Sequence, residues 1–131
     1  MIKLAKTKII VPRGASYKLT AAFYYSTGER FIEPTATVKA YAKRKLEQSY
    51  YDIELGGNYT NGASGAVWVF TFDPEDTEHL TPGRYFFEIR VDGTNAGGTD
   101  YSYVAVSVSD VDFYIDYSVL TPTTNSQASV S

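Results

Sequence analysis

The sequence predicts an all-β protein, an antiparallel sandwich of about seven strands with one short helical turn. Three observations lead to this prediction. The chain of 131 residues contains 12 Tyr, 7 Phe and 10 Gly but one Met and one Trp, a composition typical of strands and turns. Apolar and polar residues alternate with a period of two in several segments. These segments follow one another at intervals of about ten to fifteen residues, without helices between them.

The segments that carry the strand pattern differ in clarity. The alternation is strongest in residues 84–92. Residues 66–72 carry mainly apolar side chains on both faces, so we expect both faces to be at least partly covered. In the last predicted strand, Val104, Val106 and Val108 are expected to point inward. The predicted strands are, in chain order, residues 4–11, 15–24, 35–43, 51–55, 66–72, 84–92 and 101–109.

Two of the predicted connections have distinctive sequences. Residues 56–65 contain four glycines in ten positions, which predicts a mobile loop. Residues 73–80 predict the helical turn, because Asp73 is a favourable N-cap and Pro74 suits the first helical position. The turn ends before a Thr-Pro-Gly sequence, which cannot continue a helix.

The helical turn runs directly into an alternating strand through Leu80, Pro82, Gly83 and Tyr85. This order is typical of the corner between strands E and F of immunoglobulin-like domains, where a Tyr hydroxyl hydrogen-bonds back to the preceding backbone. Tyr85 is the candidate for that role, and the alternative is that it is an ordinary core aromatic residue. We therefore predict that residues 1–110 form an immunoglobulin-like β-sandwich.

The C-terminal residues 111–131 have a different composition. Acidic residues are mixed with Phe113, Tyr114, Ile115 and Tyr117, and the chain from residue 121 onward lacks any hydrophobic period. This predicts an extended or disordered arm. The four named residues are then candidates for contacts that order the arm when the protein assembles with others.

Few residues could support catalysis or bind a metal. The chain has no Cys and one His, so a Ser-His-Asp arrangement would have to use His79. We interpret His79 as an exposed residue at the end of the helical turn. The carboxylates of residues 73–78 lack the spacing of a calcium loop. The sequence predicts a protein that is not an enzyme and that uses no cofactor or metal.

Net charge and hydropathy limit the kinds of partner that we expect the protein to bind. The net charge of −3 argues against nucleic acid, and no apolar run approaches the roughly 20 residues of a membrane helix. Residues 1–18 carry only basic charges, whereas Asp110, Asp112 and Asp116 give the C-terminal segment only acidic ones. A head-to-tail contact between copies, or docking on an acidic protein lattice, would use this asymmetry. The alternative is an ordinary solvated surface.

The chain contains more tyrosines than one small hydrophobic core can bury. Exposed Tyr is enriched at protein interfaces, and its ring can also stack on sugars. Tyr41, on the outward face of a predicted strand, and Tyr59, in the glycine-rich segment, are the candidate surface aromatics.

The N-terminal apolar strand and four further segments together resemble the small immunoglobulin-like domains of tailed-bacteriophage virion proteins, over about residues 4–110. The four segments are Arg13-Gly14, Thr27-Gly28-Glu29, residues 66–70 and residues 80–89. The resemblance implies a non-enzymatic structural protein of the virion, present in multiple copies at the tail or baseplate or as a head accessory (decoration) protein. Its partners would be other virion proteins and copies of itself. The resemblance supplies no catalytic residues.

A second function fits the same predicted fold. An immunoglobulin-like carbohydrate-binding module would contact glycans of the host surface through its exposed tyrosines. An enzyme that uses His79 is a third and more distant reading of the sequence.

Overall fold

The structure, a computed structural model, describes residues 7–63 and 65–118. Strands predominate, as the composition predicts, and the described residues contain one helix of four residues. The described residues form nine strands rather than about seven. The elements are β1 (Thr7–Pro12), β2 (Tyr17–Ala21), β3 (Thr37–Lys43), β4 (Ile53–Gly56), β5 (Asn58–Gly62), β6 (Gly65–Phe72), α1 (Pro74–Thr77), β7 (Gly83–Thr94), β8 (Asp100–Val106) and β9 (Val111–Asp116).

The strands form two sheets. The larger sheet has the order β1-β9-β7-β3-β4, with β8 also paired to β7, and the smaller sheet has the order β2-β6-β5. The twelve-residue β7 organises the larger sheet. One of its edges pairs with β3, while the other pairs first with β9, at Gly83–Tyr85, and then with β8, at Ile89–Thr94.

The larger sheet is mixed, so the prediction of antiparallel pairing throughout was wrong. β1 runs parallel to β9, from the pair Thr7↔Val111 to the pair Pro12↔Asp116, whereas the other paired strands are antiparallel. The physical reason is that alternation decides which face of a strand is buried, but it carries no information on the direction of the neighbouring strand.

Both sheets contribute aromatic side chains to one core. Trp68, Phe70 and Phe72 alternate along β6 and are buried, which places the rings of the smaller sheet inside. Phe113 of the larger sheet lies 6.2 Å from Phe72 between ring centroids, and its ring stacks on that of Phe87 at 4.7 Å with planes 3° apart. The two sheets therefore share one hydrophobic core, as a sandwich requires.

The structure corrects the predicted C-terminal arm. Residues 111–116 are β9, a strand inside the larger sheet, and Phe113 and Ile115 lie in the core. Tyr114 is half-buried on the outer face, with the ammonium of Lys8 5.2 Å from its ring centroid. Tyr117 is 80% exposed and follows the strand. Acidic residues on the outer face hid a regular alternation, and the folded unit extends beyond residue 110. Residues 119–131 of the predicted arm lie outside the described residues.

The glycine-rich segment is also more regular than expected. Residues 58–62 form β5, which pairs with β6 in a hairpin closed by the pair Gly62↔Gly65. Gly65 has φ +86°, a conformation that glycine adopts without strain. Gly57 carries the chain from the larger sheet to the smaller one, and a Cβ there would lie 3.0 Å from the ring of Phe70. Gly65 serves the turn and Gly57 serves the close approach, and a mobile loop was the wrong prediction for residues 58–62.

The predicted inward face of residues 101–109 is only partly right. Val106 is buried, but Val104 is 43% exposed and Ala105 is buried in its place. The register between β7 and β8 shifts between Ile89 and Arg90. Such a bulge reverses the alternation locally, which a strict period of two cannot anticipate.

Candidate functional site

The predicted corner contains its hydrogen bond. The hydroxyl of Tyr85 donates to the carbonyl of Thr81, with 2.7 Å between the oxygens. Leu80 is buried beside it, and the amide of Leu80 donates to the carbonyl of Thr77 at 2.9 Å. Gly83 has φ +136°, which allows the chain to leave the corner and enter β7.

The helical turn is fixed on both sides. The amide of Asp73 donates to the carboxylate of Asp76 at 2.7 Å, one half of a capping box. The hydroxyl oxygen of the buried Thr77 accepts a 2.8 Å hydrogen bond from the amide of Gly14, which anchors the turn to the β1–β2 connection.

The side chain of His79, the candidate for a catalytic role, is exposed. Within residues 7–63 and 65–118, no group of three or more His, Asp or Glu side chains is placed to hold a metal ion.

Arg44 is a structural residue of the corner that the sequence analysis missed. Its guanidinium lies 5.2 Å from the ring centroid of Tyr85, and its Nη1 donates to the carbonyls of Pro82 at 3.3 Å and Arg84 at 3.4 Å. Burial raises the pKa of Tyr85, and the positive charge of Arg44 acts in the opposite direction. The sequence carries no local signal for these contacts, because they join positions about forty residues apart.

Replacing Tyr85 with Phe tests the corner. Tyr85→Phe removes the hydroxyl but keeps the ring under Arg44, so the free energy of unfolding is expected to fall by about 0.5–1.5 kcal/mol. Urea denaturation followed by circular dichroism measures the change. Tyr50→Phe, at an exposed tyrosine, is the matched control and should stay within about 0.5 kcal/mol of the parent protein. Equal stability of the two variants would contradict a stabilising role for the hydrogen bond.

A concave surface lies on the outer face of the larger sheet, between strands β3 and β7 and the β3–β4 connection. We call it the outer-face groove, and its volume is about 360 Å³. Antiparallel pairing of β3 with β7 places Tyr41 opposite Glu88 and Lys43 opposite Phe86. The principal lining side chains are Tyr41, Lys43, Tyr51, Phe86, Glu88 and Arg90.

The groove combines aromatic rings with charges that already have partners. The rings of Tyr41 and Tyr51 lie 4.6 Å apart, and the ammonium of Lys43 is 5.4 Å from the ring centroid of Tyr51. Arg90 Nε donates to the Glu88 carboxylate at 2.6 Å. Burial is the main cause of the raised pKa of Tyr41. Such a surface can bind a partner through stacked rings, with charges at the edge that fix orientation.

The two candidate surface aromatics have different surroundings. Tyr41 lines the outer-face groove, but Tyr59 is half-buried, and its ring packs edge-on against Trp68 at a centroid distance of 5.0 Å. The cause is the pairing of β5 with β6, which places Tyr59 directly opposite Trp68. The structure therefore corrects the assignment of Tyr59 as a surface aromatic.

Among the described residues, no helix is both long enough and apolar enough to cross a membrane. No family model matches the sequence, and no curated protein is similar enough to be counted as a relative.

Proposed function

We propose that this chain is an immunoglobulin-like domain that serves as a structural component of a tailed-bacteriophage virion, in multiple copies. It would act by binding other virion proteins or its own copies, and not by catalysis. The proposal joins the resemblance of the sequence to two structural observations, the order of the strands and the outer-face groove.

The strand order supports the immunoglobulin-like part of the proposal. In that fold, strands B, E and D share one sheet, and strands C, F and G share the other. Here β2, β6 and β5 correspond to B, E and D, while β3 and β7 correspond to C and F. β8 and β9 together occupy the place of G, on the far edge of β7. The hydrogen bond from Tyr85 to Thr81 lies at the start of the strand that corresponds to F.

The outer-face groove is the observation that carries the assembly role. Its rim includes Leu46, which is 54% exposed, and Tyr51, which is 51% exposed. Ile10, on the outward side of β1 in the same sheet, is exposed as well. Exposed apolar and aromatic side chains of this kind are typical of protein interfaces, where Tyr and Phe are enriched.

Particle composition tests this proposal. Mass spectrometry of purified phage particles, produced from a genome that encodes the chain, is expected to find it at many copies per particle. Tyr51→Ser should lower that copy number at least about tenfold, because interface tyrosines are frequent hot spots. Tyr50→Ser is the matched control, since Tyr50 is 62% exposed and adjacent in sequence but does not line the groove. Absence of the chain from particles would refute the virion role, and equal incorporation of both variants would refute the use of the groove.

A carbohydrate-binding module is the second candidate function. The observation in its favour is that Tyr41 and Tyr51 border the same groove as Glu88 and Arg90, whose polar groups can hydrogen-bond hydroxyls. A glycan array is expected to give binding that Tyr41→Ala abolishes and that Tyr50→Ala retains. Tyr59→Ala would act on the core instead, through Trp68. A silent array would remove this candidate.

A further inference from the structure

A second cavity, distinct from the outer-face groove, lies where the β2–β3 connection meets the β7–β8 hairpin. We call it the tyrosine pocket, and its volume is about 300 Å³. Tyr25, Phe31 and Glu33 come from the β2–β3 connection, and Tyr101 and Tyr103 come from β8. None of these residues lines the outer-face groove, so the pocket is independent of the proposed function.

The rings of the pocket face in different directions. Tyr25 meets Phe31 edge-on, with centroids 5.6 Å apart and planes at 66°. Phe31 meets Tyr101 at 6.4 Å and 86°, so these rings form walls that stand nearly perpendicular to each other. Tyr103 stacks on Tyr101 at 5.2 Å and extends that wall outward. Phe31 is buried, whereas Tyr103 is 40% exposed.

One charged side chain lines the pocket among the described residues, and it is the carboxylate of Glu33. The negative charge of Glu33 acts on Tyr25 and on Tyr101. Burial raises the pKa of Tyr25 and of Tyr101, and the negative charge of Glu33 is the next cause in both cases. Aromatic faces also carry negative electrostatic potential, so the rings and the carboxylate favour the same sign of ligand charge.

Two polar side chains of the pocket, Asn95 and Thr94, are engaged with the protein. The side-chain oxygen of Asn95 accepts hydrogen bonds from the amides of Gly97 at 2.9 Å and Thr99 at 3.0 Å. The hydroxyl of Thr94 donates to the carboxylate of Asp100 at 2.7 Å. Aromatic rings and the Glu33 carboxylate make up much of the remaining lining. A bulky cation whose methyl groups can pack on the rings matches this lining.

We propose that the tyrosine pocket binds a quaternary ammonium group. The methyl groups would pack against the rings of Tyr25, Tyr101 and Tyr103, and the positive charge would be attracted by the ring faces and by Glu33. Two sources supply this chemistry, free or lipid-linked choline and the side chain of trimethylated lysine.

Calorimetric titration of the whole chain with choline tests the charge preference. Choline is expected to bind with a dissociation constant in the millimolar range, as about five to seven heavy atoms allow. Its neutral carbon analogue, 3,3-dimethyl-1-butanol, has nearly the same shape and should bind at least about tenfold more weakly, because it lacks the attraction between cation and ring. Equal binding of the two compounds would overturn the proposal. So would the absence of choline binding up to about 50 mM, because the dissociation constant would then lie outside the millimolar range expected.

Two substitutions locate the binding. Tyr103→Leu keeps apolar bulk at the rim but removes the ring, and Glu33→Gln removes the charge. Each is expected to weaken choline binding about three- to tenfold. Tyr50→Leu is the control for an exposed tyrosine outside the pocket, and it should bind choline like the parent protein. Unchanged affinity in both pocket variants would overturn the assignment to this pocket.

The source of the ammonium group is decided by a parallel titration. A capped peptide with one trimethyllysine is compared with the same peptide carrying unmodified lysine, and with choline. Tighter binding of the trimethyllysine peptide than of choline would assign the pocket to a protein side chain, and the reverse order would assign it to choline. Preference for the unmodified lysine would contradict a quaternary ammonium site. Particle incorporation is a separate readout, so failure of either proposal leaves the other intact.

Discussion

Phe113→Ala is expected to lower the free energy of unfolding by about 3–5 kcal/mol. The ring is fully buried, stacks on Phe87 and also contacts Phe72 of the other sheet, so its removal opens a cavity where the two sheets meet. Urea denaturation followed by the fluorescence of the buried Trp68 measures the loss.

The control for Phe113 lies four residues further along the chain. Tyr117 is 80% exposed, and Tyr117→Ala should change stability by less than about 0.5 kcal/mol.

Truncation of the chain before and after β9 tests whether this strand is part of the folded unit. A chain that ends at Asp110 lacks β9 and is expected to remain unfolded, whereas one that ends at Ser118 keeps every described strand. A folded chain without β9, or a Phe113→Ala variant as stable as Tyr117→Ala, would restore the interpretation of residues 111–116 as a separate arm.

Gly57→Val is expected to cost about 1–3 kcal/mol by overpacking. A Cβ at this position would lie 3.0 Å from ring atoms of Phe70 and 3.2 Å from the Cβ of Trp68, and both of these residues are in the core. The backbone cannot move away easily, because the amide of Gly57 donates to the carbonyl of Val38 at 2.8 Å. Thermal unfolding followed by circular dichroism measures the effect.

The adjacent glycine provides the matched control. A Cβ at Gly56 would have no neighbouring atom within 4 Å, and Gly56 lies in a strand, where Val is favoured. Gly56→Val should therefore be neutral within about 0.5 kcal/mol. If the two variants have the same melting temperature, close approach of the backbone to Phe70 is not the reason for a glycine at position 57.

A clear alternation of apolar and polar residues was enough to predict the two central strands. The central strands β6 and β7 were placed within a few residues, because their alternating Trp, Phe, Tyr and Ile side chains all point into the core. The corner was also predictable, since Pro82, Gly83 and Tyr85 act within a few residues of one another. Local residue chemistry decides such features, and it can be read without knowledge of the rest of the chain.

The remaining features depend on contacts between distant segments. Tyr59 is half-buried only because β5 pairs with β6 opposite Trp68, and Arg44 caps the corner only because β3 lies beside β7. The outer-face groove and the tyrosine pocket are likewise assembled from segments that are far apart in sequence. The sequence indicates the outward position of Tyr41 because its strand alternates clearly, whereas Tyr25 and Glu33 lie in a connection that has no periodicity.

The parallel pairing of β1 with β9 has a mechanical consequence. Because the two strands run in the same direction, the chain enters β1 at one end of their ladder and leaves β9 at the opposite end. Tension applied between Thr7 and Asp116 therefore acts along the strands and in opposite directions on each of them. All six residue pairs bear that load together, whereas an antiparallel terminal pair would open one hydrogen bond at a time. The β1–β9 ladder is therefore expected to resist tension between these two residues more strongly than an antiparallel pair would.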